Sequence, residues 1–546
     1  MYVIILTMEL ITIEKWKEER DKRHGDLLIP NWEKHLHNPL SIKDMHKAID
    51  RIHLAIKRQE KIVIYSDYDC DGIPGGVVLH DFFKKINYEN FINYIPHRHK
   101  EGYGLHIKAI DGFIRNGYTL MITVDLGITN IKEVEYAEEY GINVVLTDHH
   151  LPIELAGKQI LPPAYAVINT KRSDCDYEEK MLCGCATAWK LAYAFLVKYG
   201  EEFGVKPEQA KWWLDMVGIS TIADMVPLTG ENRLLATYGI NVLNKTKRQG
   251  LLKILSDGRE KLGDIDEESV SFSIAPRLNS AGRMAEPMLA FKALALTSGE
   301  EVDAAYELEM LNNQRKRDVK SANEEVSLDD LTNDNIILTG SDDWTPGILG
   351  LIAQKIVENT SKTAFVWGKG EDNLIMKGSV RSGLGVNKVN VVQAMSECSD
   401  LLLHFGGHEE AGGFAIEKSK IESFKALLNE NFKPLLVDGD KKLEVIHLKA
   451  ENINSNLLKS IEQYKPFGVG NTAPIFAIKD DYSVRRFGEN NKHLEISFKS
   501  NPNLKAIKWN VDQVLVSKIA NSAYILGNLK KDKYKGGVQL MITDIK

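Results

Sequence analysis

Lys61–Leu79 reads KIVIYSDYDCDGIPGGVVL, and the rest of the chain is organised around it. Ile62 to Tyr65 is an apolar, β-branched run that predicts a buried strand. Asp67, Asp69 and Asp71 follow at alternate positions. Gly72, Pro74, Gly75 and Gly76 break the strand, and Val77 onward predicts a helix. Three carboxylates at one strand end repel each other, so they persist only where a cation or a set of donors neutralises them. Oxygen ligands at this density favour Mg²⁺, Mn²⁺ or Ca²⁺. An EF-hand loop is excluded. It needs a glutamate at its twelfth position, where this chain has Val78, and a helix in place of the preceding strand. The bland alternative for this stretch alone is a solvated acidic turn.

Working outward, strand and helix signals alternate. About sixty residues of mainly helical character come first, with HKAIDRIHLAIKRQE clearly amphipathic. NFINYIPHRHKEGYGL predicts a basic loop, TLMITVDLGITN a strand ending in Asp125, and INVVLTDHHLP a strand ending in Asp148, His149 and His150. AYAVINTKRSD is a further strand. This alternation implies a parallel sheet with helices on both faces, whose ligands collect at the carboxyl ends of the strands. Each acidic cluster is weak alone. Three placed alike point to the mixed carboxylate–imidazole site of a two-metal hydrolase. In KWWLDMVGISTIADMVPLTGENR, Asp215 or Asp224 completes the metal shell and the other is a cap or surface charge.

At 546 residues the chain is too long for one core, and two to four domains are expected. A net charge of −7 argues against non-specific coating of nucleic acid or anionic membrane, while leaving room for a local basic groove. Five cysteines without a repeating framework indicate a reducing compartment, and Cys175, Cys183 and Cys185 lack zinc-knuckle spacing. MYVIILTM is too short to span a bilayer and has no cleavage site, so a cytoplasmic location is expected.

IAPRLNSAGRM offers Arg277, Asn279 and Arg283 either as a capped turn or as a phosphate grip. A long polar helix follows, with Asn312 and Arg315 facing the cleft. A second α/β unit then carries His408 within a glycine cluster. Five short strands close the chain and fit an OB-fold, with Trp509, Lys508 and Arg486 as candidate strand contacts.

SDYDCDG, VDLG, TDHH and STIADMVPL, in this order, resemble the four motifs of the DHH phosphoesterase superfamily. Similarity to its RecJ branch is carried by IPHRHKEGYGL, AVINTKRSDCDYEEKMLCG, APRLNSAGRM, DDWTPGILG, KGSVRS, HFGGHEEAGG and KPFGVGNTAPIF, from about Asn38 to the C-terminus. The resemblance implies a processive 5′→3′ exonuclease specific for single-stranded DNA. It would use two divalent ions, Mn²⁺ or Mg²⁺, and release 5′-mononucleotides in DNA repair and recombination. It implies an α/β fold: a DHH domain with a helical extension (1–300), a connecting helix (301–331), a smaller α/β domain (332–434) and a C-terminal OB-fold barrel (442–546).

By the same resemblance the metal ligands are Asp69, Asp71, Asp125, His149 and Asp224, the last because it holds the acidic position of ADMVPL. Asp125 bridges the ions, Asp67 ligates or backs a ligand, and His150 touches the scissile phosphate. Arg98, Arg277, Asn279, Arg283, Arg315, Ser379, Arg381, Gly407 and His408 would contact substrate, with Arg98, Ser379 and Arg381 on a terminal 5′ phosphate. Tyr65 and Thr345 stand where relatives carry histidine. A helicase and a single-strand-binding protein are the implied partners. The rival readings are a phosphodiesterase acting on short oligoribonucleotides or cyclic dinucleotides, and a scaffold that binds single strands without cutting them.

Overall fold

A computed structural model describes residues 8–98, 100–295, 299–326, 334–370, 374–431, 433–434, 443–511, 519, 524–532 and 536–546. The chain divides into two units. One takes Asn38–Asp224 and Tyr238–Gly439, the other Ile5–His37, Met225–Thr237 and Asp440–Lys546.

The first unit is built on five parallel strands: β1 (Lys61–Ser66), β2 (Phe91–Tyr94), β3 (Tyr118–Val124), β4 (Asn143–Thr147) and β5 (Ala166–Ile168). Their order is β2-β1-β3-β4-β5. Ile62 to Ser66 are all buried, as expected of a strand covered on both faces. The order reverses between β1 and β3, which opens a crevice at their carboxyl ends. Tyr65 turns away from that crevice. Its ring packs on Tyr94 and Phe113, and its hydroxyl donates to the Gly104 carbonyl (3.2 Å). It is a core residue and not a histidine substitute at the site.

The helix after the aspartates, α1 (Gly72–Lys85), begins at Gly72 itself, five residues before the expected start. Gly75 and Gly76 are helical because the helix lies very close to the sheet. A Cβ on Gly75 would stand 2.5 Å from Val124 Cγ1, and one on Gly76 2.3 Å from Ser66 Oγ. Here glycine serves close approach and not strand breaking. Two further helices, α2 (Gly184–Tyr199) and α3 (Leu214–Ala223), pack against α1.

Two helices then lead to a second sheet: α4 (Ala275–Met284) and the 25-residue α5 (Glu301–Glu325). Arg277 Nε donates to Glu309 (2.6 Å) and pins α4 to α5. The expected continuation of the connecting helix over 327–331 lies outside the described residues, as do the domain boundaries near 332 and 442. The second sheet comprises β6 (Ile336–Ser341), β7 (Thr363–Lys369), β8 (Ile375–Arg381), β9 (Leu402–Gly407) and β10 (Ala411–Glu417), ordered β9-β10-β8-β7-β6. Helix α6 (Pro346–Thr360) reaches α4 so closely that a Cβ on Gly347 would meet the Arg283 carbonyl at 2.1 Å.

The other unit is an eight-stranded sheet. All five strands expected of the C-terminal fold are present: Tyr482–Phe487, His493–Phe498, Lys505–Lys508, Ile525–Lys531 and Val538–Ile545. Phe476–Ile478 and Leu443–Leu448 extend it, and Met8–Ile11 adds an edge strand parallel to Leu443–Leu448. Chain order and spatial grouping therefore differ. The N-terminal segment joins this sheet because Ile11, Ile13 and Trp16 share its core with Ile446, Tyr464 and Phe476. The stretch after Asp224 is held by Arg233, whose buried guanidinium donates to the carbonyls of Leu27, Tyr464 and Lys465.

Among the described residues no helix is long and apolar enough to cross a membrane.

Candidate metal and phosphate site

Asp67, Asp69 and Asp71 leave β1, Asp125 leaves β3, and Asp148, His149 and His150 leave β4, so the crevice gathers them all. Asp224 follows α3. His149 Nε2 lies 3.2 Å from Asp125, 3.6 Å from Asp71 and 3.7 Å from Asp224. Three overlapping groups have the spacing of metal ligands: Asp125 with His149 and His150, Asp71 with His149 and Asp224, and Asp67 with Asp69 and Asp125. The five aspartates and the histidine singled out from sequence thus come together.

The backbone holds this cluster under tension. Asp125 adopts a left-handed φ of 64°, a strained conformation of the kind found at functional sites. The Asp71 carboxylate caps α2, accepting from Gly184 (2.6 Å) and Cys185 (2.8 Å). Asp69 accepts from the amides of Asp71 (2.8 Å) and Gly72 (3.2 Å). Burial, then Asp69, pushes Asp67 well above the usual carboxylate range. Burial, then Asp71 and Asp69, does the same to Asp125 and brings Asp224 to about 8. Asp67 Oδ1, Asp125 Oδ1 and His149 Nδ1 are buried without a hydrogen bond. Repelling carboxylates with unsatisfied oxygens around one imidazole are a donor set that fits hard divalent cations.

Asp148 does a different task. Its carboxylate accepts from the amides of Ile128 (2.9 Å), His149 (2.7 Å) and His150 (3.0 Å), and from the His150 ring at 2.8 Å. Burial alone would lower His150, but Asp148 outweighs it and brings the ring to about 9. Tyr103 closes this side, its hydroxyl donating to the Asp125 carbonyl (3.4 Å).

Asp67, Asp69, Asp125 and Asp224, with His149 and His150, line a cavity of about 300 Å³, whose other wall is Tyr68, Arg98, Asn279, Gly282 and Arg283. Arg98 lies over the Tyr68 ring (5.1 Å). Arg283 is pushed down to about 10 by burial and then by the charges of Arg98, Arg315 and Arg381. Burial and then Arg98 also lower Arg381. Arg381 comes from β8, donates to Ser379 Oγ (3.3 Å) and approaches Gly350 at the start of α6. Arg315 donates to the buried Asn312 (2.9 Å).

Other expected contacts lie elsewhere. Arg277 is buried, bonded to Glu309 and the Ser273 carbonyl, and does not line the cavity. Asn279 lines it, but its Oδ1 accepts from the Cys70 amide (3.0 Å) and so braces the aspartate loop. Gly407 ends the exposed strand β9 opposite Gly412, and His408 follows it, its amide donating to the Ala411 carbonyl (2.8 Å). Asp215 faces Arg248 at 2.7 Å, away from the cavity, whereas Asp224 lines it. Thr345 precedes α6. Trp509, in the other unit, packs with Phe487 and His493 beside half-exposed surface.

Sequence reasoning passed over Tyr68, Tyr103, the role of Asp148 and the amides of Gly184 and Cys185. The one available signal was the glycine at 184, just before an apolar helical run.

Three family models match the chain: the DHH family N-terminal domain over 61–219, the DHHA1 domain over 333–433 and the RecJ OB domain over 446–544. In all three the chain is similar to RecJ-type members of the DHH family. Among RecJ relatives, the single-stranded-DNA-specific exonuclease RecJ of Bacillus subtilis is 33% identical over 93% of this chain, which spans 64% of that protein's length. The Haemophilus influenzae RecJ exonuclease is 27% identical, over 92% of this chain and 90% of its own. The crystal structure of Thermus thermophilus RecJ in complex with Mn²⁺ shares the fold, with a TM-score of 0.78 and 24% identity over 99% of this chain and 79% of that one.

Proposed function

We propose that this chain hydrolyses single-stranded DNA from the 5′ end, processively, with two divalent cations, Mn²⁺ or Mg²⁺. The observation that carries the reading is the meeting of Asp67, Asp69, Asp125, Asp224 and His149 with Arg98 and Arg283 in one cavity, with Asp71 behind them at His149. Asp69, Asp71, Asp125, His149 and Asp224 would hold the cations, with Asp67 beside them. When bound, such cations supply Lewis-acid stabilisation of phosphoryl charge and activation of a water nucleophile. The Mn²⁺ bound in the Thermus thermophilus structure supports this assignment.

The chain's own groups bind and orient. His150, kept protonated by Asp148, donates to an oxygen of the scissile phosphate. Arg98 and Arg283, with Ser379 and Arg381 from β8, grip the terminal 5′ phosphate, and Arg315 adds to their field. Arg277 and Asn279 act behind them, fixing α4 and the aspartate loop. Gly407 and His408 would contact the strand farther from the reacting bond. The named activity of the Bacillus and Haemophilus relatives supports single-stranded DNA as substrate. Such an enzyme needs duplex opened and works on strands that cells keep coated. A helicase and a single-strand-binding protein, in the cytoplasm, complete the proposal.

The test uses 5′-labelled single-stranded and blunt duplex DNA with Mn²⁺ or EDTA. Mononucleotides released from the single strand alone, and only with metal, are expected. Attack from the 3′ end defeats the polarity. Preference for dinucleotides over long strands would favour the small-substrate phosphodiesterase.

A further inference from the structure

Ile168 of β5 pairs with Thr147 of β4, so Lys171 leaves the sheet at the same edge as His149 and His150. Asn169 ties the two exits together. Its Nδ2 donates to the His150 carbonyl (2.8 Å) and its Oδ1 accepts from the Lys171 amide (2.8 Å). Arg172, next in the chain, is committed to Asp44 (2.7 Å) and Asp174 (2.8 Å). The half-buried Lys171 ammonium makes no hydrogen bond or ion pair among the described residues. The charge of Arg98 bears on Asp67, while that of Lys171 bears on Asp224 and His149. Asp67 groups with Asp69 and Asp125, and Asp224 with Asp71 and His149, so the arginines and Lys171 attend different ends of the donor set.

Between His150 and Lys171 the chain forms a hairpin, Ile153–Leu155 against Lys158–Ile160. Gln159 fixes it in place, its amide nitrogen donating to the Lys171 carbonyl (3.2 Å) and its oxygen accepting from the Ser173 amide (2.7 Å). Side chains alternate across a strand pair, so with Gln159 turned to the body, Ile153 and Leu155 turn outward. Leu151, directly after His150, is 66% exposed. The edge of the crevice thus carries an aliphatic patch beside an ammonium that nothing neutralises. That pairing suits a nucleotide, which offers an apolar base face and an anionic phosphate.

We propose that Lys171 and Leu151 hold the strand on the 3′ side of the cut, Lys171 on the phosphate joining the second and third nucleotides and Leu151 against the second base. This rests on the reading of the site as a 5′→3′ exonuclease. The terminal phosphate then lies at the arginines and the scissile one at the cations. The next phosphate falls at the other end of the donor set, outside the cavity, and Lys171 does not line that cavity. When the mononucleotide leaves, these contacts stay on the shortened strand, which is what processive action requires. Balancing the aspartates is a poorer account of Lys171, because bound cations carry that charge themselves.

The test follows release of the first nucleotide from a long 5′-phosphorylated oligothymidylate with Mn²⁺. Two comparison strands carry one neutral methylphosphonate, either between the second and third nucleotides or near the 3′ end. Lys171→Met should raise KM for the natural strand about 10-fold with kcat little changed, as for one lost charge-assisted hydrogen bond. The neutral second linkage should raise the wild-type KM by a similar factor, and the variant should add little to it. The distal methylphosphonate should leave the full effect of the variant in place, and Lys171→Arg should restore the natural KM. Removing the second base should cost wild type more than Leu151→Ser. If Lys171→Met acts alike on all three strands, or acts by shifting Mn²⁺ affinity, Lys171 only balances the aspartates and the proposal is wrong. Equal loss of the second base in wild type and Leu151→Ser removes Leu151 from the site. Wild type that leaves the natural strand uncut with Mn²⁺ defeats the exonuclease reading itself, an outcome distinct from both.

Discussion

Asp148→Asn tests how the active cavity sets its own charge. In the native chain Asp148 is wholly buried and accepts four hydrogen bonds, one from the His150 ring. It lifts that ring from 6.5 to about 9 against the pull of burial. Such a rise corresponds to ~3 kcal/mol in favour of the charged imidazole. The ring is 33% exposed, so water screening brings the share felt as stability to ~1–2 kcal/mol. This contribution is complete below pH 6.5, where the unfolded histidine is also charged, and fades as pH rises through about 9. Asp148 is itself held below its usual value, burial being outweighed by His150, so the pair's contribution is lost again in acid. The variant should therefore be most destabilised between roughly pH 4 and 6.5 and converge on wild type towards pH 9. In metal-free protein, nitrogen NMR of the His150 ring should show its titration falling well below 9, because only Asp71 and Asp224 then oppose burial. A ring that still titrates near 9 in the variant would falsify the assignment of that proton to Asp148.

Three further outcomes follow from the same geometry. Mn²⁺ at about a hundred times its dissociation constant should stabilise the protein by ~2.7 kcal/mol in denaturant titrations, and Asp125→Ala should remove most of that gain along with turnover. If the variant gains as much as wild type, Asp125 is not a ligand. Arg283→Met should raise KM about 10- to 100-fold for strands with a 5′ phosphate and little for strands with a 5′ hydroxyl, since charge-assisted hydrogen bonds are lost. Equal effects on both substrates would remove Arg283 from phosphate binding. Arg248→Met leaves Asp81 and Asp215 buried and unpaired and should cost ~3–5 kcal/mol at neutral pH, partly recovered in acid as the carboxylates protonate. A variant as stable as wild type in urea would show the triad to be solvated.

The sheet and the metal cluster were legible because both write themselves locally. An apolar run followed by aspartates gives strand and site together, and the parallel topology does the convergence. Asp215 and Asp224 could not be separated by spacing, because what separates them is Arg248, 33 residues away from Asp215. Arg277 and Arg283 look alike in IAPRLNSAGRM, yet the rotation of α4 between them sends the first to Glu309 and the second into the cavity. The early start of α1 was hidden for a related reason. Glycines that end a helix and glycines that let one lie on a sheet are the same letters. Residues 8–37 joining the C-terminal sheet left no local trace at all, since an edge strand is specified by its partner's open hydrogen bonds.

The reversal of strand order between β1 and β3 also bears on how the protein is made. The groups around His149 are spread from Asp67 to Asp224, and ribosomes deliver them in that sequence. A chain released before residue 224 is synthesised lacks a carboxylate at His149 and has none of the arginines of α4 and β8. An unfinished molecule therefore holds only part of the donor set.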